Sequence, residues 1–361
     1  MTLPKTINIG LDGRKFPDAD RLGAIGLLER CAELGYDGVF FRTVLDIVPD
    51  LDPGKLAAIR ERADELELYL EMGLGKINPF NTPEAPEVRI LGDGDYLLGM
   101  RRMIEAVTAI GCTNLWADTA NYQGHSFGLF AIDRYRTDVD WTDQLAITTK
   151  FICKLSPILR ARGAALAVET HEEITTHELA RMIEAVGPEV MGVTLDLANV
   201  LTRGEDPIEA TRRVAPYVRQ THMRDWIVFE TPTGLERQIR ACGDGLIDWQ
   251  KVMTLLRDAG AAPNFTIENA NGRDRNDIPI NDPVWRAGQP DQSQAELDEL
   301  VRLSRAYAAD VAAGRKPGPD DYYADPFGTG CQEAFIRTSA ETLWAAAAAV
   351  NYRTIAYGPS P

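Results

Sequence analysis

Four side chains able to bind a cation or move a proton end short apolar runs: Glu169 after LAV, Asp196 after GVTL, His222 after QT and Glu268 after FTI. They are 27, 26 and 46 residues apart, about one strand and helix unit each, with an insertion before the last. Three carboxylates brought to one site repel one another and suffer raised pKa values unless a cation offsets their charge. A divalent ion does so. Three carboxylates and one imidazole suit Mn²⁺, Co²⁺, Mg²⁺ or Zn²⁺, with Mn²⁺ the expected ion, and the absence of thiolate argues against a closed structural zinc. A lone Glu or Asp at a strand end often caps the following helix. Four such groups in step with a repeating unit fit a shared site better.

The chemistry such a site supports is removal of a proton from carbon next to a carbonyl. That step needs a base on one face and positive charge at the oxygen where enediolate charge develops. Glu169 and Glu268 are the candidate bases. His171 lies two residues beyond Glu169, on the same face of an extended strand, and is a candidate further acid or base. Hydrogen bonding within the following loop is its plainer reading. Arg224, two residues after His222, can add charge at the substrate oxygen or pair outward with Asp225. Asn199 supplies a polar group beside Asp196 or caps a turn. His177 starts a helix and is expected at the surface. His125 lies in the long loop ANYQGHSFG, which can close over a sugar; Trp116, Tyr122 and Phe127 offer apolar faces for the ring, or pack the loop itself.

These residues need a scaffold that gathers strand ends. Apolar runs of strand length alternate with helical periodicity along the chain. Strands are predicted over 6–11, 37–42, 68–73, 114–117, 165–169, 191–196, 220–223 and 265–268, and helices over 21–34, 53–66, 96–110, 142–162, 176–186, 207–218 and 249–259. Eight units, with no GxGxxG after the first strand, fit a closed (β/α)₈ barrel better than an open doubly wound sheet. Residues 294–312 are expected as the eighth outer helix, completing a catalytic barrel over 1–312. Residues 313–361 form a C-terminal extension with an Ala-rich helix around 340–349, expected to pack on the barrel or a partner subunit, or to serve as a lid. GLGK at 73–76 and CGDG at 242–245 lack P-loop spacing and read as turns, so a phosphate on the substrate is not indicated.

With 361 residues, 45% hydrophobic and 25% charged, the chain can bury a large core. A net charge of −16 without a basic patch argues against nucleic-acid or anionic-membrane partners. Five scattered cysteines without CxxC spacing argue against a disulfide framework and for a reducing compartment. The start MTLPKTINIGLDG has neither a basic n-region nor an apolar h-region, and the longest apolar stretch, Trp344 to Val350, is too short to span a bilayer. A cytoplasmic enzyme with a small-molecule substrate is expected.

ETH at 169–171, LDLAN at 195–199, THMRD at 221–225, CGDGLIDW at 242–249 and IEN at 267–269 resemble the signature stretches of the xylose-isomerase-like TIM barrels, within them the sugar phosphate isomerase/epimerase group. The resemblance runs from residue 6 to about 310. It implies one divalent ion on Glu169, Asp196, His222 and Glu268, with the two glutamates exchanging protons with carbon. The superfamily also includes lyases that eliminate from 3-oxo-glycosides, such as the catalytic subunits of C-glycoside deglycosidases, which work with a smaller subunit. Either a homo-oligomer or a hetero-oligomer with such a subunit is therefore expected. The DNA-cleaving branch, with its multi-zinc cluster, needs more imidazoles than four histidines supply.

Overall fold

A computed structural model describes residues 6–81, 83, 85–120, 133–270, 275–324 and 329–354. Eight parallel strands carry the core: β1 (Ile9–Asp12), β2 (Gly38–Phe41), β3 (Tyr69–Lys76), β4 (Asn114–Asp118), β5 (Ala165–Glu169), β6 (Met191–Leu195), β7 (Val218–Met223) and, after an insertion, β10 (Phe265–Ile267). They pair in that order, and β10 returns to β1 with Ile9 opposite Phe265, so the sheet closes into the expected (β/α)₈ barrel. Their residues are buried almost throughout, as parallel strands covered on both faces must be. Inside the ring Tyr69 replaces the side chain that β2 lacks: a Cβ on Gly38 would stand 2.2 Å from its ring.

The helices start where capping residues dictate. Asp52 accepts from Lys55 N with Pro53 in the first turn, Asp95 accepts from Leu97 and Leu98 N, and Thr175 and Glu178 form a reciprocal capping box ahead of helix Thr176–Val186. Each helix then runs back outside the barrel, so the following strand starts again at the floor and all strand C-termini face one mouth.

Three differences from the sequence reading have physical causes. The insertion after β7 is an antiparallel sheet of β8 (Asp225–Thr231), β9 (Gly234–Arg240) and β11 (Arg275–Ile278). Helix Gln294–Ala312 packs its apolar face, Leu297, Leu300 and Tyr307, on that sheet and is not the eighth outer helix. Helix Thr329–Ala349 takes the outer position against β10 and helix Trp249–Asp258, with buried Ile336, Ala340, Leu343 and Ala347; Trp344 stacks on Tyr36 beyond helix Ala19–Glu33. Finally, Gly73–Lys76 is no turn: it continues β3 through a register shift beside β4. No helix among the described residues is long and apolar enough to cross a membrane.

Candidate metal centre

Glu169 is the last residue of β5, Asp196 follows β6, His222 is the penultimate residue of β7 and Glu268 follows β10. Strand adjacency brings the four together. Their ligand atoms all lie within 4.8 Å of one another, every one of the residues is buried, and the group could hold one metal ion. Two donors in it, His222 Nδ1 and Glu268 Oε2, are buried without a hydrogen-bond partner and lie 3.4 Å apart. Buried polar atoms are rarely left so. Their orphaned state, with an oxygen and nitrogen donor set, fits a divalent cation.

The remaining lone pairs are held. Trp116 Nε1 donates to Glu169 Oε2 at 2.8 Å, and Asn199 Nδ2 to Glu169 Oε1 at 3.2 Å and Asp196 Oδ2 at 3.0 Å. Asp196 does cap the next short helix, Oδ1 accepting from Ala198 N at 2.8 Å, yet Oδ2 is turned to the site. Capping and site membership coexist in one carboxylate. Arg224 sits where the chain leaves β7 for β8. Its guanidinium pairs with Asp196, donates to Asn199 Oδ1 at 3.1 Å and lies 3.5 Å from Glu268 Oε2. Asp225 is engaged elsewhere: its carboxylate accepts from the backbone N–H of Trp226, Gly243, Leu246 and Ile247 and from Trp249 Nε1, which orders the CGDGLIDW loop. Gly245 is required there, since a Cβ would lie 2.1 Å from Asp225 Oδ1.

Charge sets the protonation states. Burial alone would raise the Glu169 carboxyl, but the His222 and His171 imidazoles hold it below the usual carboxylate range. For Glu268 burial is again opposed, by Arg224, Lys15, Arg42 and His222, and its carboxyl lies well below normal. Asp196, buried and flanked by both glutamates, is pushed up to about 6. His222 is raised: burial disfavours its charge, but Glu169 and Glu268 favour it.

His171 is buried beside Glu169 and bonds through Nδ1 to Glu173 Oε2 at 2.7 Å, while Glu173 Oε1 accepts from Thr119 at 2.6 Å. Burial opposes its charge, but Glu173 lifts it to about 10. Trp116 is a buried wall of the site on β4, edge-on to Phe40, with its ring 6.2 Å from that of His222. His177 starts its helix as expected but is half-buried. His125, Tyr122 and Phe127 lie outside the described residues.

Sequence reasoning missed four groups. Lys15, in the turn after β1, and Arg42, directly after β2, both meet Glu268 Oε1, at 2.5 and 2.6 Å. Arg42 follows VFF just as Glu268 follows FTI, so the strand-end rule could have found it. Glu173 and Arg237 carry no such signal. Arg237, on β9, is fully buried, donating to Ala198 O at 2.7 Å and Glu172 Oε1 at 3.0 Å.

A model of the xylose isomerase-like TIM barrel matches residues 28–302. The chain belongs to that family. The chain is 27% identical to the uncharacterized protein YihM of Escherichia coli over 114 residues, a match covering 32% of this chain and only 35% of YihM's length. It is 23% identical over 250 residues to 3-oxo-isoapionate decarboxylase of Pectobacterium atrosepticum, covering 69% of this chain and 78% of that one. A xylose isomerase-like TIM barrel protein from Mycobacterium smegmatis, in complex with magnesium, superposes with a TM-score of 0.56 at 16% identity, over 84% of this chain and 100% of that chain. Structural neighbours include a 3-keto-D-glucoside 4-epimerase, a D-psicose 3-epimerase and a mannonate dehydratase, and one relative is an inosose dehydratase.

Proposed function

We propose that the protein is a divalent-metal-dependent enzyme that abstracts a proton from the carbon next to a sugar carbonyl, ending in isomerisation or epimerisation. One observation carries the reading: four buried donor groups on consecutive barrel strands converge to within 4.8 Å, with two of their atoms lacking any hydrogen-bond partner. Glu169, Asp196, His222 and Glu268 would hold the ion, with Mn²⁺ the expected metal. When bound, the ion supplies Lewis-acid charge at the sugar oxygens where negative charge develops.

The chain's own residues do the rest. Glu169 on the β5 side and Glu268 on the β10 side take and return the proton at carbon. Arg224, a fixed cation against Asp196, adds charge at the same oxygen. Trp116 walls the sugar, and His125 belongs to the loop expected to close over it. His171, steadied by Glu173, stands by as a further proton carrier.

Incubating the Mn²⁺-loaded protein in D₂O with free ketoses tests this. Deuterium should enter the carbon beside the carbonyl, stop on chelation and return with Mn²⁺. Full exchange after exhaustive chelation would overturn the reading. Glu268→Gln should lower exchange by about 10²–10⁴.

The His171–Glu173 pair favours a second reading. Elimination from a 3-oxo-glycoside needs an acid for the leaving group besides the base at carbon, and His171 is a third proton-active group beside the two glutamates. One relative at 24% identity is named inosose dehydratase, though the match covers 54% of that protein. In this reading the chain is the catalytic subunit of a C-glycoside deglycosidase with a small partner. Aglycone release from 3-oxo-glycosides favours it; exchange without release favours the isomerase.

A further inference from the structure

Lys15 and Arg42 reach the centre from the side of β1 and β2, opposite the approach of Arg224 from β7. Both cations meet one oxygen of Glu268, Oε1, and leave Oε2 turned toward His222 and Arg224. Arg42 Nε also lies 3.6 Å from Asp12 Oδ2, and its guanidinium stands 5.6 Å from the centre of the Trp116 ring. Their side chains are 22% and 18% exposed, against 5% for Arg224 and 2% for Glu268. Among the described residues these are the partly exposed cations of the centre.

The charge balance asks for an anion. With the His171–Glu173 pair neutral as a whole, Glu169, Asp196, Glu268 and Asp12 carry four negative charges, and Arg224, Arg42 and Lys15 three positive ones. A divalent ion held by a neutral His222 turns this small deficit into a surplus of one positive charge. A neutral sugar leaves that surplus unmatched until enediolate charge develops, in a site of low dielectric where unmatched charge costs most. A sugar with one carboxylate cancels it. Lys15 has three donors, of which one engages Glu268, and Arg42 places a second positive charge beside it on the same carboxylate oxygen.

We infer that Lys15 and Arg42 form a carboxylate-binding pair at the rim of the metal centre and that the substrate is a sugar acid. The inference rests on the metal-dependent reading above. It narrows that reading's substrate class from sugars in general to those with one negative charge close to the reacting carbons.

Calorimetry on the Mn²⁺-loaded protein tests it with probes that differ only in charge: 2-keto-D-gluconate against D-fructose and D-glucuronate against D-glucose, with D-fructose 6-phosphate as the phosphate arm. At least one acid should bind tenfold or more tightly than its neutral counterpart, and this preference should shrink as salt rises. Lys15→Met and Arg42→Gln should each reduce the acid-to-neutral affinity ratio about tenfold. Mn²⁺ affinity, measured in the same titrations, guards against an indirect effect through Glu268. Equal binding of acids and neutral sugars, tighter binding of the phosphate, or an unchanged ratio in both variants would overturn the inference. Failure to take up Mn²⁺ at all would instead sink the metal-dependent reading, so the two failures are told apart.

Discussion

The indole Nε1 of Trp116 donates to Oε2 of Glu169 at 2.8 Å, both groups being buried. An aromatic side chain expected to offer a face to sugar or to pack the loop thus also orients a carboxylate of the centre. Trp116→Phe keeps a ring against Phe40 and removes the donor. A hydrogen bond to a charged group is worth about 1.5–3 kcal/mol, so turnover should fall by roughly 10- to 100-fold and the melting temperature should drop by several degrees. Steady-state kinetics with the substrate found by deuterium exchange, alongside a melting curve, checks both halves.

Metal should stabilise the fold measurably. At free Mn²⁺ a hundred times its Kd, linkage gives about 2.7 kcal/mol, and scanning calorimetry should show a concentration-dependent rise in Tm that EDTA reverses. In His222→Ala and Asp196→Asn that rise should vanish or shrink sharply. A rise of wild-type size in both variants would place the ion elsewhere.

Arg237 ties the antiparallel sheet to the centre through Ala198 O and Glu172. Replacing it with Met removes one partner of a buried pair, a change that costs about 3–5 kcal/mol where the remaining charge is fully enclosed. Glu172 keeps 18% of its side chain exposed and can reach water, so about 2–3 kcal/mol is expected by urea denaturation. An unchanged midpoint would show that the bridge contributes nothing to stability.

Stability should also depend on pH through Glu205. Burial pushes its carboxyl up to about 7, against the hydrogen bonds from Thr176 and the charge of Arg213. Because the folded state holds this proton more tightly than the unfolded one, the contribution is full below the unfolded value near 4.5 and is lost as pH rises through 7. The loss amounts to at most about 3 kcal/mol. Melting temperatures between pH 5 and pH 8 should therefore fall less steeply in Glu205→Gln than in the wild type, even if the amide lowers the absolute value.

The eight barrel strands and the four residues of the centre were legible because they repeat. Apolar runs of fixed length, each closed by a polar residue, encode both the ring and the side chains at its mouth. What did not repeat was missed. The stretch DWIVFETPTGLERQIR forms a hairpin around a short turn, but inside a barrel sequence it read only as extra length. Helix Gln294–Ala312 stood next in order and was assigned to the outer ring; its place is decided by the insertion's apolar face, which no local pattern announces. Lys15 lies three residues past β1 in a turn, outside the strand-end pattern, and Arg42 after VFF reads equally as a solvated cation at a strand end.

Helix Thr329–Ala349 covers the strand that closes the ring, yet residues 268–328 separate it from β10. During synthesis the cylinder can zip shut before this cover has left the ribosome, so for that interval the flank formed by β10 and helix Trp249–Asp258 is bare to the cell. A nascent chain arrested in that window would expose the apolar seam that Ile336, Ala340, Leu343 and Ala347 otherwise cover.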